Sequence, residues 1–202
     1  MAKFEEAYKL VADFEGSYSN VKSDRGGETY CGIARNFFPK WAGWAILDRE
    51  KSIANGNISK MKKALERNTE ISALVKSWYK SEWWDFLGLG NLDQNLANEI
   101  FEQAINLGKS GCGKKVQQVA NAYNLVSGTP LFKDLVVDGA IGPKTLSALL
   151  KIISKGKATA EQLVHALNCM QGAHYIELAA KKPDQRIFTI GWMKRTYCEG
   201  HK

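Results

Sequence analysis

The chain has 202 residues, of which 45% are hydrophobic, 24% charged and 10% aromatic; this fits about one compact globular domain with a real core and excludes a long repeat array or a disordered chain. Lys and Arg outnumber Asp and Glu by 28 to 21, a formal charge of +7, which favours a polyanionic partner such as nucleic acid, an anionic membrane surface or an acidic envelope polymer without choosing among them. No run of 18 apolar residues is present, and acidic residues interrupt the N-terminal stretch MAKFEEAYKLVADFEG, so the expectation is a soluble chain with no export signal and no transmembrane segment.

Residues 3–15 read as an amphipathic helix, because Phe4, Tyr8, Val11 and Phe14 recur at three-and-four spacing. Glu15 continues that stripe, so a carboxylate falls among core neighbours. Gly16 stops the helix, and GSYSNVKSDRGGET is dense in turn formers. Strand signals are confined to residues 17–33. From Tyr30 to Trp44 the sequence has no clear period and reads as loop and short helix. Helices are expected over 59–67 and 69–86, closed by the rings of Trp78, Tyr79, Trp83, Trp84 and Phe86, whose spacing suits core packing better than a sugar-stacking wall. Leu92, Leu96, Ile100, Ala104 and Leu107 mark another helix, ended by Gly108.

GKSGCG at 108–113 does not match a phosphate-cradling loop, since no strand precedes it and the G-x-x-x-x-G-K-[ST] spacing is missing. A helix is expected over Lys114–Tyr123, then a loop into Pro143 at a first helical position. Thr159 to Gln162 has the spacing of a capping box, opening a long helix that Lys181, Lys182 and Pro183 break. The expected fold is mainly α, with at most a small β-hairpin after the first helix.

Cys31, Cys112, Cys169 and Cys198 form no C-x-x-C pair, and His165, His174 and His201 form no i, i+4 pair, so reduced thiols, no metal and no cofactor are expected. A Cys/His peptidase using Cys31 with His165 or His174 lacks an evident third partner. The basic residues are scattered over several helices and not interleaved with aromatics on one sheet face, which argues against nucleic acid.

Glu15 and Asp24 are the carboxylates that stand out. Glycosidic cleavage needs one carboxyl kept protonated by partial burial, which suits the helix-end Glu15, and one kept ionised, which suits the loop residue Asp24. The wider motif E-G-S-Y-S-N-(x)3-D-x-G-G-x-T-x-x-G-I over 15–33 resembles the N-terminal signature of the phage-type N-acetylmuramidase or secretion activator protein family, lysozyme-like glycoside hydrolases. The resemblance continues through Trp83 and Trp84, FEQAINLG at 101–108 and FTIGWMKR at 188–195. VDGAIGPKTLSAL at 137–149 is similar to the core of bacterial peptidoglycan-binding modules.

The resemblance implies a lysozyme-like helical fold, with a catalytic region over 1–110 and a peptidoglycan-binding-like region over 111–202 packed as one unit. It places the general acid on Glu15, the water-activating carboxylate on Asp24 and a water-holding hydroxyl on Thr29. Tyr18, Gly26, Gly27 and Tyr30 would frame the cleft, and Asp138, Gly139 and Gly142 would contact the wall. Ser17 stands where the family has a second Gly, Val21 to Ser23 depart from its usual approach to the Asp, and Glu102 stands where it often has Asp. The implied partner is a peptidoglycan glycan strand, met by a monomer after release or noncanonical export from the cytoplasm. A noncatalytic wall-binding or secretion-assisting module is the alternative.

Overall fold

The computed structural model describes residues 1–12, 18–21, 25–124 and 128–196. The architecture is mainly α, with eight α-helices among the described residues and one small sheet after the first helix. The chain divides into two units, residues 8–82 and residues 1–7 with 83–202, so that the division falls inside the first helix and inside a π-helical turn at Lys80–Asp85.

The smaller unit takes the part of helix α1 (Phe4–Ala12) from Tyr8 onward, followed by strands β1 (Tyr18–Ser19), β2 (Thr29–Tyr30) and β3 (Ile33–Ala34), an antiparallel sheet in the order β1-β2-β3. Tyr18 faces Tyr30 and Ser19 faces Thr29 across the first pair. Three helices follow: α2 (Gly43–Ala54), α3 (Ile58–Glu66) and α4 (Thr69–Tyr79). Asn57 and Asn68 cap α3 and α4 by accepting from the amides of Lys60 at 2.9 Å and Ile71 at 3.1 Å, each cap worth about 1 kcal/mol.

Helix α2 is not expected from the sequence. Its buried residues Trp44, Leu47 and Ala54 keep the three-and-four spacing but are interrupted by Lys51, and the glycine-rich aromatic run before it hides the start. The core gathers Ile33, Leu47, Met61, Leu65, Ile71 and Val75, all at most 4% exposed, each burial favourable by about 1.5–3 kcal/mol before chain entropy is counted.

In the larger unit, Phe4, Trp84 and Phe101 meet edge to face with centroids 5.8–5.9 Å apart. The aromatic run thus divides, with Trp84 buried and Phe86 exposed. Lys109 Nζ lies 4.0 Å from the Phe86 ring centroid and 5.1 Å from that of Trp83. Helix α5 (Gln94–Ala122) breaks its helical dihedrals at Gly108 (φ 76°, ψ 155°) and resumes at once. Residues 109–113 are therefore helical, and the second helical segment begins earlier than the expected Lys114. Helices α6 (Pro143–Ser154), α7 (Ala160–Lys181) and α8 (Thr189–Lys194) complete the unit. Pro143 occupies the first turn of α6, and Thr159 and Gln162 form the reciprocal capping box of α7.

The α5–α7 seam carries polar groups inside its apolar layer. Glu99 accepts from Gln103 Nε2 at 2.7 Å and Asn168 Nδ2 at 3.0 Å. Glu102 pairs with Arg195 at 3.0 Å and accepts from Gln171 Nε2 at 3.0 Å. The motifs FEQAINLG and FTIGWMKR are thereby joined through a largely buried ion pair between residues 93 positions apart.

Burial pushes the Glu99 carboxyl up to about 7, with Glu102 adding repulsion and the two amide donors opposing the rise. The unfolded chain releases this proton near 4.5. Between those values the folded state binds more protons, so stability falls as pH rises through that window. Wild type is accordingly expected to lose melting temperature relative to Glu99→Gln between about pH 4.5 and 7, and a pH-independent difference would contradict the assignment.

Candidate active site

Glu15 and Asp24 lie outside the described residues, so the structure bears on their setting through the segments that flank them. Asn36 fastens the loop after Asp24 at two points. Asn36 donates its backbone N–H to the Gly26 carbonyl at 3.1 Å and its Nδ2 to the Arg25 carbonyl at 3.0 Å. Gly27 adopts φ +68°, and a Cβ there would fall 2.8 Å from Asn36 Nδ2, so both conformation and space require glycine. Thr29, half-buried on β2, donates its hydroxyl to the Gly27 carbonyl at 3.1 Å.

The β2–β3 turn places Cys31 and Gly32 at φ 45° and 75°, the left-handed pair of a two-residue hairpin turn. Tyr79 donates its hydroxyl to the Cys31 carbonyl at 3.1 Å. His165 and His174 belong to the other unit, where His165 Nε2 and Cys169 Sγ are 3.6 Å apart. Tyr30 is a core residue, 4% exposed and stacked near Trp41, and burial raises its phenol well above the usual range, with Cys31 adding to the rise.

Sequence reasoning missed the charged group that holds this region together. Glu28 stood as an unassigned position between Gly27 and Thr29, yet its carboxylate accepts from Lys51 Nζ at 2.6 Å and the Tyr18 hydroxyl at 2.8 Å. Arg35 Nε lies 2.9 Å from its other oxygen, an ion pair off the hydrogen-bond line. Arg35 also forks onto Asp48 at 2.6 and 3.0 Å and lies 4.4 Å over the Trp44 ring. These partners come from β1, the turn directly after β3, and α2, a convergence that no local spacing reveals.

Burial alone would raise the Glu28 pKa, but its bonds to Lys51 and Tyr18 and the Arg35 charge outweigh burial and hold it below 4.5. Glu28 thus contributes stability above the ordinary carboxylate range, lost as pH falls through its depressed value. Glu28→Gln is expected to destabilise the chain by about 1–3 kcal/mol at neutral pH, read by urea unfolding. The gap to wild type should narrow in acid; a gap that persists unchanged there would contradict the charge assignment.

In the larger unit, Asp138 accepts from Gln117 Nε2 and from the Ala140 amide, both at 2.8 Å, and these bonds lower its pKa. Gln117 Oε1 accepts from the Gly139 amide at 2.8 Å. Gly139 has φ +86°, and its Cβ would stand 2.5 Å from Ser110 Oγ. Gly142 caps α6 in extended conformation with open space where a Cβ would be. Asn121 and Asn124 fasten the same loop at Leu135, Phe132 and Asp134. The structure brings Tyr18, Gly26, Gly27, Thr29 and Tyr30 together in one unit and Asp138, Gly139 and Gly142 in the other.

A family model described as glycosyl hydrolase 108 matches residues 8–108, half of the chain. The chain belongs to the glycosyl hydrolase 108 family. A second model, described as a predicted peptidoglycan domain, matches residues 116–197. Among solved structures, that of Brucella abortus SagA is similar with a TM-score of 0.56 and 22% identity, over 96% of this chain and 88% of that one, which is a likeness of fold. No curated protein matches the chain in a sequence search. The glycosyl hydrolase 108 match takes in the whole 15–33 motif and the small sheet, while the peptidoglycan-domain match takes in the Asp138–Gly142 turn and Arg195.

Proposed function

We propose that the chain hydrolyses the β-1,4 bond between N-acetylmuramic acid and N-acetylglucosamine in peptidoglycan, with Glu15 as general acid. The observation that carries this reading is the glycosyl hydrolase 108 match across a segment in which a motif glutamate precedes a clamped Gly-Gly loop and a threonine-bearing strand. In sequence Glu15 stands three positions before Tyr18 of β1. Asp24 precedes Arg25, the residue fastened by Asn36.

In the proposed reaction the protonated Glu15 donates to the leaving glycosidic oxygen. Asp24 takes a proton from water as the oxygen attacks the anomeric carbon from the opposite face, which gives inversion when the carboxyls stand about 6.5–9.5 Å apart. Thr29 accepts the second hydrogen of that water, since its own proton is committed to Gly27. The 116–197 region holds the enzyme on the wall, with Asp138 and Gly139 shaping its loop and excess positive charge favouring contact with acidic wall polymers. Purified sacculi incubated with the enzyme should release soluble fragments with new reducing ends. Retained binding without such release would leave a wall-binding module and overturn the enzymatic reading.

A further inference from the structure

A cleft of about 470 Å³ opens in the smaller unit between β1 and the α2–α3 corner, within the usual range for a small-ligand pocket. Its floor is apolar, from Ala54 and Met61, 7% and 2% exposed. Tyr18 and Ile58 also line it, and Ile58 keeps 57% of its surface exposed. Asn57 and Lys62 are among its polar lining residues. Gly56, at φ +85° with nothing within 4 Å of a Cβ position, keeps one edge open.

Two features bias this cleft toward an anion. No acidic residue lines it among the described residues. Lys51 is neutralised by Glu28, and Arg35 by Glu28 and Asp48, so two cations balance two carboxylates. Lys62 is left over. It is half-buried and forms no ion pair among the described residues, beside a floor suited to an acyl methyl and a tyrosine ring suited to a sugar face. The Tyr18 hydroxyl bond to Glu28 at 2.8 Å holds that ring in place.

We propose that this cleft binds an N-acylated sugar carrying a carboxylate, and that Lys62 is the residue that selects the carboxylate. The sugar's identity rests on the peptidoglycan reading, in which the carboxylate comes either from the lactyl ether of a muramic acid residue or from the peptide attached to it. A single cation over an apolar floor suits one carboxylate better than a phosphate chain.

The test titrates the full chain with N-acetylmuramic acid, N-acetylglucosamine and N-acetylmuramoyl dipeptide, following heat of binding and the Met61 methyl resonance. N-acetylmuramic acid should shift Met61 and bind roughly tenfold more tightly than N-acetylglucosamine, a difference that Lys62→Ala removes and Lys62→Arg restores, the scale of one charge-assisted contact. Equal affinities for acid and neutral sugar, indifference to Lys62→Ala, or shifts that spare Met61 would overturn the assignment. The dipeptide supports a peptide source if it keeps the Lys62-dependent affinity and a lactyl source if it falls to the neutral level.

The two proposals fail separately. Glycan cleavage with no Lys62-dependent selectivity sinks the cleft and spares the hydrolase, while Lys62-dependent binding with no cleavage does the reverse.

Discussion

Glu15→Gln is expected to lower turnover on peptidoglycan by about 10²–10⁴, the range typical of a lost general acid, while leaving binding to sacculi unchanged. The substitution keeps the shape of the side chain and removes only the transferable proton, so the leaving oxygen must depart as a high-energy alkoxide. KM should move little, because the proton transfer is felt in the transition state and not in the ground state. The same reasoning sets the pH profile. If Glu15 delivers the proton, activity should fall on the alkaline side as it ionises, and Glu15→Gln should lose that limb. A variant with wild-type turnover would remove Glu15 from the chemistry.

Gly113→Ala should produce the largest loss of stability of any single methyl added in the larger unit. Alanine is the better helix former by about 1 kcal/mol, so on local grounds this change would stabilise α5. The packing reverses that sign, since a Cβ on Gly113 would fall onto the Gly139 carbonyl oxygen, and a backbone atom cannot rotate away as a side chain can. Parting the helix from the loop also strains the three bonds that Gln117 makes to Asp138, Gly139 and Ala140. The expected cost is on the order of 3 kcal/mol, which for a chain of this size lowers the melting temperature by roughly 6–12 °C. Gly142→Ala, in open space at φ −121°, should stay within about 0.5 kcal/mol of wild type. Similar effects for the two substitutions would refute the close crossing.

That contrast shows what the sequence could convey. Glycine at 113, 139 and 142 looks alike in a string of letters, and only the crossing of α5 with the 138–140 turn separates a glycine required by contact from one that merely ends a loop. Signals of short range were readable: the capping box at Thr159 and Gln162, Pro143 in the first turn of α6, the break at Gly108 and the strand signals at 17–33, one residue short of the end of β3, all depend on neighbours a few residues away. Helix α2 was hidden because Lys51 interrupts its apolar stripe, and that lysine is there for Glu28. The Glu28 network and the Glu102–Arg195 pair each join residues from separate elements, the second over 93 positions. The 15–33 motif on which the proposed chemistry rests was legible as a resemblance, while the role of its unassigned position, Glu28, emerged only when β1, the turn after β3 and α2 were brought together.

The most direct test of the account is mass spectrometry of the soluble products released from purified peptidoglycan by wild type and by Glu15→Gln. The account predicts muropeptides ending in reducing N-acetylmuramic acid from wild type and their loss in the variant. Reducing N-acetylglucosamine ends, anhydro ends or free peptides from wild type, or undiminished products from Glu15→Gln, would contradict it.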